Sequence, residues 1–258
     1  MKRFELPGKS VEEQANFEGN DTLLFYERLK NPKIKKQLVD LLCEYYAAMI
    51  PPQTREQIEK KLDEAIEKVF SVTALDYNPK GTSDSRGIEI NGEQIDCGTV
   101  APFSKHFETG EPWTAKQLSI IEAHEKGHGI RFLSDPDKNL EARITSGLDF
   151  SKMVIDDRFR AIWLEVNADY PEGFPDEKVD RDIIEYFSRP SEIIERMAQL
   201  KNYFGMIGEE EFTKRHLDYA KDHYLVDTGI GIQMKPFLDA ITSENETRFI
   251  ELINSLGV

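Results

Sequence analysis

Apolar positions recur at helical spacing through most of the chain, and polar or proline-rich breaks divide it into segments. Leu23, Leu24, Phe25 and Leu29 follow the capping residues Asn20, Asp21 and Thr22, and Asn31-Pro32 interrupts the pattern. A second helix is predicted over 34–49, where Leu38, Leu41, Leu42, Tyr45 and Tyr46 share a face ahead of Pro51-Pro52. A third is predicted over 55–70 behind Thr54, with Ile58, Leu62, Ile66 and Phe70 at regular helical spacing. These segments predict a helical N-terminal lobe, residues 1–75.

The period changes after Val72. Residues 87–96 alternate apolar and polar positions around Asn91-Gly92, a strong hairpin signal. A helix is then predicted over 115–133, with Thr114 as N-cap, Leu118, Ile120, Ile121 and Ile130 along it, and Ser134-Asp135-Pro136 as its stop. Residues 137–150 are ambiguous, 150–166 fits a helix, and 170–175 reads as a loop. Further helices are predicted over 180–187, 192–204, 209–223 and 234–256, with Asp227-Thr228-Gly229-Ile230-Gly231 as a turn before the last. The expected class is α+β and mostly helical. A catalytic domain, 76–258, would carry a small hairpin or sheet beside the 115–133 helix and a helical C-terminal part.

Composition narrows the function classes. With 39% hydrophobic and 31% charged residues among 258, the chain is an ordinary globular sequence. Its formal net charge of −15 argues against nucleic acid and against an anionic membrane surface as partners. Cys43 and Cys97 are the only cysteines, which gives neither a disulfide framework nor a C-x-x-C metal pair. No stretch has the length of a signal peptide core or a transmembrane helix, so a cytoplasmic location is expected.

The chemistry concentrates in Ile120-Ile121-Glu122-Ala123-His124-Glu125-Lys126-Gly127-His128. On a helix, His124 and His128 stand one turn apart on one face, a spacing at which two imidazoles hold one zinc ion. Hydrolytic zinc sites use three protein ligands and leave a position for water, whose pKa the metal lowers. Glu125 is then placed to act as general base and later as general acid.

His124-Glu125-x-x-His128 in a capped helix, with a hairpin upstream, resembles the zincin metallopeptidases. No histidine follows His128 until His216, so the metzincin extension is absent and a gluzincin-like arrangement is implied. In that arrangement a glutamate on a later helix is the third ligand. The segment from Ser188 to Ala198 supplies two candidates, Glu192 and Glu195. Glu192 with Arg196 has the Glu-x-x-x-Arg spacing of gluzincin-like sequences, so Glu192 is favoured and Glu195 or Arg196 would brace the site. Asp156-Asp157 offers another possible brace. The resemblance also implies an oxyanion donor, for which His223 and Tyr224 are the candidates, and an edge strand for extended substrate, which the hairpin would provide.

The expected function is zinc-dependent peptide hydrolysis on a protein or peptide substrate. The alternative is a non-catalytic helical interaction or structural protein whose motif is accidental or only binds a metal. A structural zinc would need four protein ligands, and no cysteine lies near His124. Asp227-Thr228-Gly229 has no second copy and reads as a turn, not as half of an aspartic-protease site.

Overall fold

A computed structural model describes residues 10–15, 19–46, 53–71, 84–90, 93–99, 111–132, 145–148, 150, 152–166, 170–171, 173–208 and 210–258. A short helix α1 (Val11–Ala15) precedes α2 (Asp21–Lys30), whose cap is Asn20: its Oδ1 accepts the Leu23 N–H at 2.9 Å. Asn31 is extended and ends α2, and Pro32 opens α3 (Pro32–Tyr46). The next helix, α4 (Arg55–Ser71), starts with a reciprocal box. Thr54 Oγ1 accepts the Gln57 N–H at 3.3 Å, and Gln57 Oε1 accepts the Thr54 N–H at 2.8 Å.

The expected α+β class is corrected by the structure. Helices make up 73% of the residues whose side chains are described, and no strand occurs among them. Backbone pairing does join β1 (Asp84–Ile90) to β2 (Glu93–Thr99) with Ile90 opposite Glu93. That is a lone antiparallel ribbon, and the Asn91-Gly92 turn lies outside the described residues. Burial is accomplished helix on helix, so neither a sheet layer nor a zincin-like sheet-and-helix core is present among the described residues.

The histidine helix is α5 (Ala115–Phe132), opened by a second box in which Thr114 and Gln117 exchange hydrogen bonds of 3.2 and 2.9 Å. After it come α6 (Asp157–Val166) and α7 (Asp176–Phe187). The start of α6 is later than its apolar pattern predicts because Asp156 Oδ1 caps the Phe159 N–H at 2.7 Å. A sharp Ser188-Arg189 corner leads into α8 (Pro190–Tyr203), which is buried from Glu192 to its end. Then α9 (Lys214–Thr228) closes at Gly229, whose φ of 69° is the left-handed cap that glycine accepts at little cost.

The 234–256 pattern is not one helix but two, α10 (Gly231–Asp239) and α11 (Glu246–Ser255). A tight turn separates them, in which Asn245 Oδ1 accepts the Thr242 N–H at 2.8 Å. Both helices bury their apolar faces in the same core, where Phe237 and Phe249 meet edge to face at 5.9 Å. Periodicity therefore ran through the break unseen.

One apolar cluster contains Leu29, Leu38 and Ile66 together with Ile130, Met197, Phe237 and Val258. The N-terminal helices thus share a core with the later ones. Arg28 is fully buried and donates to the carbonyls of Ala198 (3.2 Å) and Met206 (3.1 Å), tying α2 to the end of α8. The Asp21 carboxylate holds the Lys116 ammonium, and the Asp21 N–H donates to Ser119 Oγ at 3.1 Å, joining α2 to α5. No described helix is long and apolar enough to cross a membrane.

His216 is built into the fold as a neutral base. Its Nδ1 accepts the Thr213 N–H at 3.0 Å, and its Nε2 faces Gln14 Oε1 at 3.1 Å, which places the ring proton on Nε2. Burial, and then the Arg215 charge, push its pKa down to about 4. The unfolded chain therefore takes up this proton first as pH falls, and the stability tied to a neutral His216 is lost between about pH 6.5 and 4. Urea midpoints measured at pH 7 and pH 4.5 are expected to fall less for His216→Gln than for the parent. Equal falls would sink this assignment.

Candidate metal centre

Two helices build the site. On α5, Ile120, Ala123 and Ile130 are buried and set which face turns inward. Lys126, inside the motif, is buried as well and donates to the Val69 carbonyl at 2.8 Å, pinning α5 to the end of α4. His124 and His128 then project from adjacent turns, with Nε2 atoms 3.2 Å apart. Across from them α8 presents Glu192, which is 6% exposed, from its first turn. Glu192 Oε2 lies 3.4 Å from His124 Nε2, and Oε1 lies 3.3 Å from His128 Nε2.

These three side chains each offer one donor atom, all within 4.8 Å of one another. A tetrahedral zinc with ligands at 2.0–2.1 Å spaces its donors by roughly 3.3 Å. The two Nε2 atoms meet that spacing at 3.2 Å, and Glu192 sets one carboxylate oxygen against each ring, at 3.4 Å from His124 and 3.3 Å from His128. Imidazole nitrogens with one carboxylate are also a donor set that suits zinc chemically.

The electrostatics follow from burial and charge. Burial raises the Glu192 carboxyl, but the hydrogen bonds and charges of His124 and His128 outweigh it and hold the pKa well below the usual carboxylate range. Burial lowers His128, yet the Glu192 hydrogen bond and the charges of Glu192, Glu195 and Glu125 win, and its pKa is pushed up to about 9. Arg196 stands one turn beyond Glu192, with Nη2 3.5 Å from Oε2, and its guanidinium lies 4.5 Å from the Phe187 ring centre. The Glu-x-x-x-Arg spacing thus corresponds to a buried contact beside the histidines.

The remaining sequence candidates are dispersed. Glu125 is half-buried on α5, close enough for its charge to act on His128, but it is not one of the clustered donors. Glu195 turns to Gly127. Glu122 faces the other way, toward Thr22 at 3.2 Å and Lys126 at 3.4 Å. Asp156 caps α6 and Asp157 pairs with Arg160, so both carboxylates engage α6 itself. His223 is exposed, stacked on Tyr219 at 4.1 Å. Tyr224 is buried and accepts from Gln199 Nε2 at 2.9 Å. Gln199 lies seven residues beyond Glu192 on α8, roughly 10 Å along its axis. The structure does not bring His223 or Tyr224 into the donor group.

Sequence reasoning missed Tyr186. It lies near the end of α7, before the corner that delivers Glu192, close enough for the Glu192 charge to act on its hydroxyl. Burial, then the Glu192 charge, raise its pKa far above the ordinary phenol value, with Glu125 adding to the rise, so it stays a proton donor. Its only sequence signal was an aromatic just ahead of Ser188-Arg189-Pro190. No family model matches this chain, and no curated protein or solved structure matches it.

Proposed function

We propose that this chain is a zinc-dependent metallopeptidase whose ligands are His124, His128 and Glu192. The observation that carries the reading is the convergence of His124, His128 and Glu192, whose ligand atoms lie within 4.8 Å of one another, from two helices far apart in sequence. Donor chemistry supports it: two imidazole nitrogens and one buried carboxylate are a set that zinc accepts.

When bound, zinc supplies a water acidified to near neutrality and polarises the scissile carbonyl. Glu125, next to a ligand without being one, accepts the proton from the attacking water and hands it to the leaving amine. Tyr186, whose phenol keeps its proton beside Glu192, is placed to steady that carboxylate. Arg196 holds the same carboxylate from the other side. The substrate class is protein or peptide. Two cysteines far apart in sequence suit a reducing, cytoplasmic setting, which forms part of the proposal.

The test is reconstitution. Protein stripped with chelator and dialysed against zinc is expected to retain an equimolar amount and to cleave an unfolded protein substrate, with cleavage lost again on chelation. A chain that retains no zinc sinks the reading. A chain that retains zinc and cleaves no peptide bond sinks the peptidase assignment and leaves a metal-binding helical protein.

A further inference from the structure

Gly127 occupies the interior of α5, where glycine weakens a helix relative to alanine. Its φ is not in the left-handed region, so backbone geometry does not demand glycine there. Space does. A Cβ at Gly127 would lie 1.7 Å from Glu195 Oε2, 2.4 Å from its Cδ and 2.9 Å from its Oε1. The Glu195 carboxylate therefore fills the volume that any other residue's Cβ would take.

The place of this contact gives it meaning. Gly127 sits within the segment bounded by His124 and His128, and Glu195 is one turn beyond Glu192 on α8. Glu195 is 0% exposed, so its carboxylate is packed inside the contact between the two helices. The contact joins the ligand-bearing turn of one helix to the ligand-bearing turn of the other. A Cβ would require the carboxylate to retreat by roughly 1.5–2 Å to reach ordinary van der Waals separation. The atoms in the way are the end of the Glu195 side chain, so that carboxylate would have to leave the place it holds between the two ligand-bearing turns.

We propose that Glu195 is the positioning residue of the metal centre and that Gly127 is the notch receiving it, so that the pair sets the spacing of α5 and α8 at which Glu192 meets His124 and His128. The proposal rests on the zinc reading above. Glu195 acts through Glu192 and the histidines and touches no substrate.

The experiment compares the parent, Gly127→Ala, Glu195→Ala, the double variant and Glu195→Gln. Two readouts are taken: melting temperature of the metal-free proteins, and affinity and visible absorption with Co²⁺ as the probe. Gly127→Ala is expected to lower the melting temperature of the parent but raise it in the Glu195→Ala background, where the notch is empty and helix propensity decides. Glu195→Ala, alone or in the double variant, is expected to weaken Co²⁺ binding by roughly tenfold or more and to change the visible bands. Glu195→Gln keeps the volume and one acceptor oxygen, and it is expected to recover most of the affinity. Should Glu195→Ala not fold, Glu195→Gln supplies the second background for Gly127→Ala, and the alanine must then lower the melting temperature in both.

A Gly127→Ala shift of the same sign in the parent and in Glu195→Ala overturns the notch. Unchanged Co²⁺ affinity and spectrum in Glu195→Ala overturn the positioning role. A parent that takes up neither Co²⁺ nor zinc overturns the metal reading and the positioning role with it, while the melting-temperature reversal still reports the packing, so the two failures are told apart.

Discussion

Glu125→Gln is expected to abolish peptide hydrolysis while leaving zinc in place. Glutamine preserves the size and polarity of the side chain but cannot accept and return a proton. General acid–base catalysis contributes on the order of 10²–10⁴-fold, so cleavage should fall by about that factor. Zinc retention follows from geometry: the clustered donors are His124, His128 and Glu192, and Glu125 is not among them. The helix is also unaffected, since α5 is held by its Thr114–Gln117 box, by Lys126 on Val69, and by Ile120, Ala123 and Ile130 in the core. Zinc content and cleavage rate are measured on the same preparation. A zinc-loaded Glu125→Gln protein that still cleaves at the parent rate would remove Glu125 from the mechanism. Loss of zinc in that variant would mean that Glu125 is itself a ligand.

Glu192→Ala carries the other large effect, on binding and on stability together. It removes one donor of three and leaves two imidazoles. Loss of a residue that merely orients a ligand costs 10–100-fold in metal affinity, so loss of the ligand itself should cost roughly 100-fold or more. The metal-free fold should suffer as well. Arg196 is 2% exposed and lies 3.5 Å from Glu192, and a buried guanidinium deprived of its carboxylate costs on the order of 3 kcal/mol. Glu192→Gln separates the two effects. It keeps an oxygen toward Arg196 and the packing of the first turn of α8, yet offers the metal a neutral ligand. The expected order for zinc affinity is parent, then Gln, then Ala, by competition against a chelator. For the metal-free melting temperature the Gln variant should stay closer to the parent than Ala does. Equal zinc affinity in parent and Glu192→Ala would eliminate Glu192 as a ligand, and Glu195 would then be the carboxylate to test.

Much of the local structure was legible because it is dictated locally. Caps and breakers made the helix starts readable: Asn20 before α2, Thr54 before α4, Thr114 before α5, and Pro32 at the start of α3. Errors arose where a local polar contact overrode periodicity. Asp156 delayed α6, and the Thr242–Asn245 turn split one apolar pattern into α10 and α11. The α+β expectation failed for a different reason. Alternation around Asn91-Gly92 identifies a ribbon, and a ribbon does not specify that a sheet layer forms around it.

The same division runs through the candidate site. The pairing of His124 with His128 depends only on helical pitch, so it was determined by the sequence. Glu125 beside them follows from the same pitch, as does Arg196 one turn beyond Glu192. Which carboxylate reaches the histidines depends on the crossing of α5 and α8, and so on the burial of side chains more than sixty positions apart. Only the tertiary structure decided that Glu192 faces the imidazoles, that Glu195 lies against Gly127, and that the Tyr186 phenol comes within reach of the Glu192 charge. It also left His223 stacked on Tyr219 at the surface and Tyr224 bonded to Gln199. Spacing along a helix fixes which residues share a face, but the partner of that face is chosen by packing, which acts between segments that no local pattern connects.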